Sequence, residues 1–301
     1  MTTTVVKSAP ATTGMQPSGP RPVASRIVRR LPWWIAAVLL AGGCFLWIYP
    51  FLWMVSASLK SSLDIFKDGL NLIPDSPAWA NFKRAWVTAE FGKYLRNTVI
   101  VTVATVLIVV VRSAMAGYVL ARYRFRGRMA IIVVLVATIL VPTGYTIIPV
   151  VDIAQRLHLL NSLAGMIIAL SGGAHVAMIL IYMGYFSRIP KELFESAMVD
   201  GAGFLTIFIR IMLPLAMPVT ATATLLTFLN TWNAYFLPLV FTFSRPDLRT
   251  VSVGMIAFSG EYSTDWSGMA AGAVISLAPV VILFFVLQRY FVEGIAGAVK
   301  N

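Results

Sequence analysis

Long apolar runs separated by short polar segments constrain this chain more than any other feature of its sequence. Six runs are predicted to be spans, at residues 31–55, 97–118, 129–150, 163–186, 211–236 and 268–291. About 20 mostly apolar residues suffice for a helix to cross a bilayer. A backbone in lipid must also satisfy its own hydrogen bonds, which favours helices. The sequence therefore predicts an all-α integral membrane protein with six transmembrane helices.

Charged residues are scarce, and most of them are basic. They make up 12% of the chain, against roughly 25% in soluble domains, and the mean hydropathy is +0.82. A net charge of +12 also occurs in nucleic-acid-binding proteins, but here the basic residues lie in short clusters beside apolar runs. Such clusters are typical of membrane topology. We therefore expect a lipid bilayer, and no nucleic acid, as the partner of this charge.

The basic clusters also predict which loops face the cytoplasm. Arg122, Arg124, Arg126 and Arg128 lie in one short loop between the second and third runs. Loops rich in Lys and Arg stay on the cytoplasmic side of a membrane. With six spans, both termini are then cytoplasmic, and we expect a multi-pass protein of the cytoplasmic (inner) membrane.

This topology divides the chain into three predicted parts. Residues 1–30, basic and rich in Thr, Ala and Pro, are predicted to be a disordered cytoplasmic tail. Residues 31–292 form the transmembrane domain, which includes an external loop at 56–96 and a cytoplasmic loop at 187–210. Residues 293–301 are a short cytoplasmic tail.

The cytoplasmic segment 187–210 is predicted to be a helix-turn-helix. Pro190 suits the first position of a helix, where its missing N–H is not needed. Asp200-Gly201 ends that helix, because glycine readily takes the left-handed conformation of a C-terminal cap. A second helix then runs through Arg210 into the fifth span. An ordinary loop between two spans is the alternative interpretation of this pattern.

Several kinds of chemistry have no signal in the sequence. The chain lacks a Gly-rich phosphate-binding loop ending in Lys-Ser or Lys-Thr, so we do not expect it to bind ATP in that way. No Asp or Glu falls within the six predicted spans, whereas proton-coupled transporters usually carry a carboxylate or histidine there. The single cysteine, Cys44, argues against an intrachain disulfide and a cysteine metal site. We therefore predict that this chain is no enzyme and holds no metal or cofactor itself.

Arg112 is the one basic residue deep in a predicted span. It precedes Arg122 by ten residues, about 15 Å along a helix. One interpretation is a side chain that snorkels to the interface or bonds carbonyls of a neighbouring span. The other is a contact with a cavity or with a second subunit, because none of the predicted spans offers an acid to pair with it.

The helix-turn-helix carries a pattern that resembles the "EAA" loop of bacterial ABC importer permeases. The family has E-A-A, three residues, G, about nine residues and then I-x-L-P, and this chain has serine in place of the middle alanine. In that family the loop is a coupling helix that docks into a cleft of a cytoplasmic ATPase. The resemblance assigns this coupling role to Glu195, Ser196, Ala197, Asp200, Gly201, Ala202, Leu213 and Pro214.

Further motifs resemble the carbohydrate branch of these permeases, the maltose-permease-G-like subunits. They are Ser58-Leu59-Lys60, Asn81-Phe82, Tyr94-x-x-Asn97-Thr98 and the C-terminal ending at 288–301. The resemblance implies import of a sugar, a di- or oligosaccharide. It also implies a heterodimer with a second permease, two ATPase subunits that bind ATP and Mg, and an extracytoplasmic sugar-binding protein.

A sugar is held by hydrogen bonds and aromatic stacking, which directs attention to polar and aromatic groups in the spans. The candidate substrate-path residues are Ser171, Gly172 and His175 in the fourth span, and Asn230, Trp232, Asn233 and Tyr235 in the fifth. The Trp232-Asn233 pair resembles a W-N-(E/D) element of sugar permeases, although Ala234 stands where an acid is usual. Interfacial aromatic residues and glycines for close helix packing are the alternatives.

Other substrates and other classes of protein stay open at this point. Within the family, the substrate is alternatively glycerol phosphate or a polyol. An ion-gradient-driven secondary transporter is disfavoured by the missing carboxylates in the spans. A purely structural membrane anchor is disfavoured by the polar, glycine-broken spans and by the coupling loop.

Overall fold

The computed structural model describes residues 33–173, 175–260 and 263–299. The predicted N-terminal tail, residues 1–30, lies outside the described residues. Of the predicted C-terminal tail, only the backbone of 293–299 is described, as the continuation of a helix. The chain divides after Phe51 into two units, and all packing discussed below lies within the second.

Most of the described residues are helical, and their only β-structure is an isolated bridge between Ser259 and Thr264. The helices are α1 (Trp33–Ser58), α2 (Ser62–Lys67), α3 (Ala80–Lys83), α4 (Phe91–Arg122), α5 (Arg128–Thr138), α6 (Ile147–Arg156), α7 (Leu163–Gly172), α8 (Val176–Arg188), α9 (Lys191–Val199), α10 (Phe204–Ile207), α11 (Leu213–Leu215), α12 (Met217–Trp232), α13 (Phe236–Phe241), α14 (Val251–Gly254) and α15 (Trp266–Val299). Turns of π-helix follow α3 and α10, at Arg84–Thr88 and Phe208–Met212. The all-α prediction is confirmed.

Three helices are long and apolar enough to cross a membrane by themselves: α1, α4 and α15. They correspond to the first, second and sixth predicted spans; α4 and α15 extend beyond both predicted limits, and α1 extends beyond its predicted C-terminal limit. Two bent pairs, α7 with α8 and α10–α11 with α12, are also long and apolar enough when each pair is taken as one span, which gives up to five crossings among the described residues where six were predicted. Because side chains at the ends of a crossing are polar or aromatic, hydropathy alone underestimates helix length at these ends.

The third predicted span is not one helix. Residues 129–150 were predicted to be a kinked span, but α5 ends at Thr138 and α6 begins at Ile147. Pro142, between them, has an extended backbone. Proline removes a backbone donor and clashes with the preceding turn, so the helix stops where only a kink was expected. Alone, α5 has 11 residues, about 16 Å of helix.

The fifth predicted span begins later than expected. Residues 211–215 belong to the helix before an 82° bend, and the crossing helix starts at Met217. Pro214 and Pro218 flank this bend, and neither can donate the backbone hydrogen bond that would continue a straight helix. At the other end, helix α12 stops at Trp232, so Asn233 lies outside it.

Helix α4 lies at the centre of the packing, against α7, α8 and α12. Gly117 permits its closest approach to α8, because a Cβ there would lie 2.6 Å from the Cβ of Tyr182. We call the end of α4 near Phe91 the outer end and the end near Tyr118 the inner end, following the predicted topology. Each end carries a cluster of buried apolar residues.

Polar contacts within the segment before α4 hold it together at the outer end. Lys60 is buried, pairs with Asp68 at 3.0 Å and donates to the carbonyl of Asn71 at 2.6 Å. The Asn81 side-chain amide donates to the carbonyls of Ser58 and Lys60, both at 2.9 Å. Two of the motifs noted above, Ser-Leu-Lys and Asn-Phe, therefore contribute side chains that close this segment on itself.

Candidate functional site

The predicted helix-turn-helix is present. Its first helix, α9, begins directly after Pro190 and ends at Val199. Gly201 follows with a φ of 77°, the left-handed conformation that the sequence predicted. The turn is closed by the N–H of Gly201 on the carbonyl of Met198 (3.0 Å) and the N–H of Ala202 on that of Ala197 (2.9 Å).

The EAA-like residues divide between two faces of α9. Ala197 is buried together with Phe194, so this position serves packing. Glu195, Ser196 and Asp200 are exposed, and the Ser196 hydroxyl donates within its own helix to the carbonyl of Leu193 at 3.3 Å. The helix therefore presents carboxylates and a hydroxyl outward while its inner face is fixed.

Apolar side chains lie exposed around the same turn, which the sequence interpretation missed. Val199 is 87% exposed and Leu205 57% exposed, and Leu193 and Met198 are about half exposed. Large exposed apolar groups in a cluster usually mark a contact surface. We call Leu193, Met198, Val199 and Leu205, with Glu195 and Asp200, the coupling surface. The signal available in the sequence was the apolar pair Met198-Val199, which directly precedes the polar turn residue Asp200.

An aromatic cluster fixes the inner face of the loop on the end of α4. Tyr118 of α4 is fully buried, and its ring lies 6.3 Å from that of Phe194 on α9 and 5.1 Å from that of Phe204 on α10. Arg122, one turn later, donates to the carbonyl of Ile189 at 2.6 Å, just before α9 begins. The coupling surface therefore stands on a base that is packed and hydrogen-bonded to the bundle.

The last part of the EAA-like motif, Leu213-Pro214, lies where the chain bends from the loop back into the helix bundle. Leu213 is half-buried and Pro214 is exposed, both just before the 82° bend. The Tyr185 hydroxyl on α8 donates to the carbonyl of Leu215 at 2.8 Å and so holds that bend.

The fourth-span candidates lie at the break between α7 and α8, where the two helices meet at 56°. His175 has a left-handed φ of 46°, and its Nε2 lies 3.1 Å from the carbonyl oxygen of Leu170. Gly172 and His175 line a mainly apolar cavity of about 800 Å³, together with residues of α5, α6, α7 and α8. Ser171 is buried beside it and contacts the carbonyl of Ile168.

Arg112 reaches the same break. Its Nη2 donates to the carbonyl of Gly173 at 2.5 Å. This agrees with the first interpretation above, a bond to a carbonyl of a neighbouring span. The bond satisfies a carbonyl at the end of α7 that has no partner within its own helix.

The fifth-span candidates do not join this cavity. Trp232 is buried and stacked on Phe228, with ring centroids 5.0 Å apart, so its ring already has a partner. Asn230, Asn233 and Tyr235 are exposed and are not among the residues that line the cavity. The structure therefore does not bring the two predicted groups together within this chain.

Within the described ranges, no group of three or more His, Cys, Asp or Glu side chains is placed to hold a metal ion.

Comparison with known proteins identifies the family. Residues 113–297 match the family described as "Binding-protein-dependent transport system inner membrane component". The "Probable ABC transporter permease protein YurM" of Bacillus subtilis is 36% identical over 277 residues, 90% of this chain and 91% of that protein. The "Diacetylchitobiose uptake system permease protein NgcG" of Streptomyces coelicolor is 33% identical over 84% of this chain and 83% of its own length.

A solved structure agrees with these relatives. A chain of a bacterial ABC transporter involved in the import of the acidic polysaccharide alginate superimposes with a TM-score of 0.75 at 25% identity. The match covers 91% of this chain and all of that one. The chain belongs to the family of binding-protein-dependent transport system inner membrane components, and it is the permease subunit of an ABC transporter.

Proposed function

We propose that this chain is one of two unlike permeases of an importer for a di- or oligosaccharide. Its relatives include permeases named for diacetylchitobiose, for arabinooligosaccharides and for melibiose, raffinose and stachyose. These names favour a carbohydrate over glycerol phosphate or a polyol. The working assembly would add a second permease, two ATPase subunits that bind ATP and Mg, and an extracytoplasmic sugar-binding protein.

The coupling surface is the proposed docking site for the ATPase, with Gly201 shaping its turn. The observation that carries this proposal is the exposure of Val199 and Leu205 at the tip of a loop whose base is buried. An apolar tip with carboxylates beside it fits a cleft that offers apolar walls and basic or hydroxyl groups at its rim. A rigid base then passes the movement of the cleft into the bundle, because packed interiors resist compression.

This docking fixes the proposed orientation. The loop that holds the coupling surface, together with both termini, would be cytoplasmic, and the segment 56–96 would face the sugar-binding protein outside. The four arginines at the junction of α4 and α5, from Arg122 at the end of α4 to Arg128 at the start of α5, support this orientation.

ATP binding would close the two ATPase subunits and displace the two docked loops. The spans would then shift between inward-open and outward-open packing, a two-state equilibrium that the nucleotide biases. In the proposed path, Gly172 and His175 supply the wall of this chain at the broken span, while Asn230, Asn233 and Tyr235 face outward from the fifth span toward the second permease.

Affinity purification of the chain from a mild-detergent extract tests the proposal. We expect an ATPase and a second permease to co-elute, with measurable ATP hydrolysis. Val199→Glu should remove the ATPase from the eluate, because it places a charge in the apolar contact. Val87→Glu is the matched control, since Val87 is also exposed but lies near the outer end, and it should leave co-elution unchanged. Elution of the wild-type chain alone, without ATP hydrolysis, would contradict the proposal.

The sugar is then identified through its binding protein. The binding protein that stimulates ATP hydrolysis by the purified assembly would be screened against di- and oligosaccharides by calorimetry. The carbohydrate assignment would be contradicted if the binding protein bound none of the sugars and bound a polyol or glycerol phosphate instead.

A further inference from the structure

Helix α4 differs from the other long helices in being free of proline. Of the three described helices that are long enough to cross a membrane, α1 contains Pro50 and α15 contains Pro279. The third, fourth and fifth predicted spans are broken. Helix α4 runs without interruption for 32 residues, about 48 Å. Since sharp kinks arise mainly at prolines and breaks, α4 is the element best suited to move as one body.

Its inner end holds the coupling loop through Tyr118. The Tyr118 ring lies within 6.3 Å, centroid to centroid, of five aromatic rings. These belong to Tyr123, Phe186, Phe194, Phe204 and Phe208. Three of the five, at 194, 204 and 208, lie in the loop that carries the coupling surface. A displacement of that loop therefore presses directly on Tyr118.

Its outer end is fastened to a distant loop. The Asn97 side-chain amide donates to the carbonyls of Asp247 and Arg249, at 2.9 and 3.1 Å. The N–H of Val251 donates to the hydroxyl of Thr98 at 2.8 Å. These contacts join α4 to the outer loop at 244–251, which lies about 150 residues later in the chain. Asn97 and Thr98 are the two residues of the Tyr-x-x-Asn-Thr motif that make them.

We propose that α4 transmits displacement of the coupling surface to the outer loop at 244–251, and that Tyr118 is the positioning residue that joins loop and helix. This inference rests on the proposed docking of an ATPase. Its physical basis is that a close-packed ring cannot yield without moving its neighbours, while an unbroken helix moves both of its ends together. The outer loop would therefore respond to nucleotide binding on the other side of the membrane.

The test places a reporter on the outer loop of the complete transporter. Cys44 is replaced by serine, and Ser244, which is exposed, by cysteine. The assembly is reconstituted in nanodiscs, and the rate at which a maleimide labels this cysteine is measured without nucleotide and with Mg-ATP and vanadate. Three variants are compared in this background: Tyr118→Leu, Tyr118→Phe and Phe258→Leu. Co-elution of the ATPase and the melting temperature are recorded for each.

We expect the labelling rate to change with ATP and vanadate in the unaltered assembly and in Tyr118→Phe, which keeps the ring. Tyr118→Leu should lose that change while still co-eluting with the ATPase. Phe258→Leu is the control for a merely structural effect, because Phe258 is also buried and stacks 5.7 Å from Phe91 at the outer end. It should lower the melting temperature by a similar amount and keep the nucleotide response.

A nucleotide response in Tyr118→Leu equal to that of Tyr118→Phe would overturn the inference. A loss of the nucleotide response in Phe258→Leu as large as that in Tyr118→Leu would also overturn it. The same holds if the ATPase is present but the labelling rate of the unaltered assembly does not depend on nucleotide. Absence of the ATPase from the unaltered preparation would instead overturn the proposed function, and the inference with it.

Discussion

Arg84 and Asp265 are joined by two hydrogen bonds, with Nε 2.8 Å from Oδ2 and Nη2 3.0 Å from Oδ1. They are 181 residues apart in the chain, and they connect the segment before α4 with the start of α15. Ser267 takes part, because Nη2 of Arg84 also donates to its hydroxyl at 3.0 Å. The outer end is therefore closed by a two-pronged ion pair, a geometry that is stronger than a single contact.

Arg84→Ala should destabilise the outer end measurably. Both side chains are partly exposed, so the loss is expected to be about 1 kcal/mol, seen as a lower melting temperature in detergent. Lys93→Ala is the matched control. It removes the ion pair between Lys93 and Glu90, which are similarly exposed and only 3 residues apart. Because this pair joins no separate segments of the chain, its loss should leave the melting temperature unchanged. Equal shifts in both variants would show that the connection across the chain adds nothing.

The same pair predicts how stability depends on pH. Burial alone would raise the pKa of Asp265, but the N–H of Gly268 and the Arg84 guanidinium lower it below its ordinary value of 3.8. A lowered pKa in the folded state gives stability that is fully present above the unfolded pKa and is lost as the pH falls through the folded pKa. The stability advantage of wild type over Asp265→Asn should thus be constant from pH 7 to about 5. It should shrink once the pH falls below 3.8, the ordinary pKa of the carboxyl. An advantage that grows on acidification would contradict this assignment.

Gly201→Ala should impair coupling more than Gly203→Ala. Gly201 has a φ of 77°, whereas Gly203 has an ordinary φ of −75°, and a Cβ would meet open space at both. The difference therefore isolates backbone strain, which costs about 1–2 kcal/mol for a left-handed residue with a side chain. We expect Gly201→Ala to co-elute with less ATPase while still inserting in the membrane, and Gly201→Asp to lose ATP-driven uptake. Normal coupling in Gly201→Asp would refute the role of this turn.

Gly117→Ala should destabilise the contact between α4 and α8. A Cβ there would lie 2.6 Å from the Cβ of Tyr182 and 2.9 Å from the backbone N of Met183. Overpacking of this kind costs about 1–3 kcal/mol, more than the roughly 0.5–1 kcal/mol that alanine contributes to a helix.

Gly184→Ala is the comparison for that substitution, because a Cβ on Gly184 in α8 meets nothing within 4 Å. It should keep or raise the melting temperature that Gly117→Ala lowers. Two equally stable variants would indicate that the helices separate easily at this point.

Local features of the chain were predictable from its sequence. The helix that ends at Val199 and the turn at Gly201 depend on residues that are neighbours in sequence, and they are present as predicted, although the helix begins at Lys191, one residue after Pro190. The break after Thr138 was predicted only as a kink, because a proline signals a disturbance but not its extent. Features that join distant segments were not predictable. Trp232 looked available for a ligand until Phe228 and the packing of α12 placed it in the interior.

Tyr118 had no signal of its own in the sequence. Its five ring contacts come from three separate stretches of chain: the loop after α4, helix α8 and the coupling loop. A single tyrosine near the end of an apolar run is typical of a membrane interface, and only the tertiary structure distinguishes the two roles. Arg112 is the opposite case, since one of its two interpretations already named the carbonyl contact that the structure contains.

The exposed apolar side chains of the coupling surface should affect how long the protein survives in the cell. Val199 and Leu205 are exposed on a loop whose base is buried against the bundle. Exposed apolar clusters promote aggregation and recognition by the machinery that degrades unassembled proteins. Under the proposed docking, a permease made in excess of its ATPase would be short-lived, and the supply of the ATPase subunit would set how many complete transporters the membrane contains.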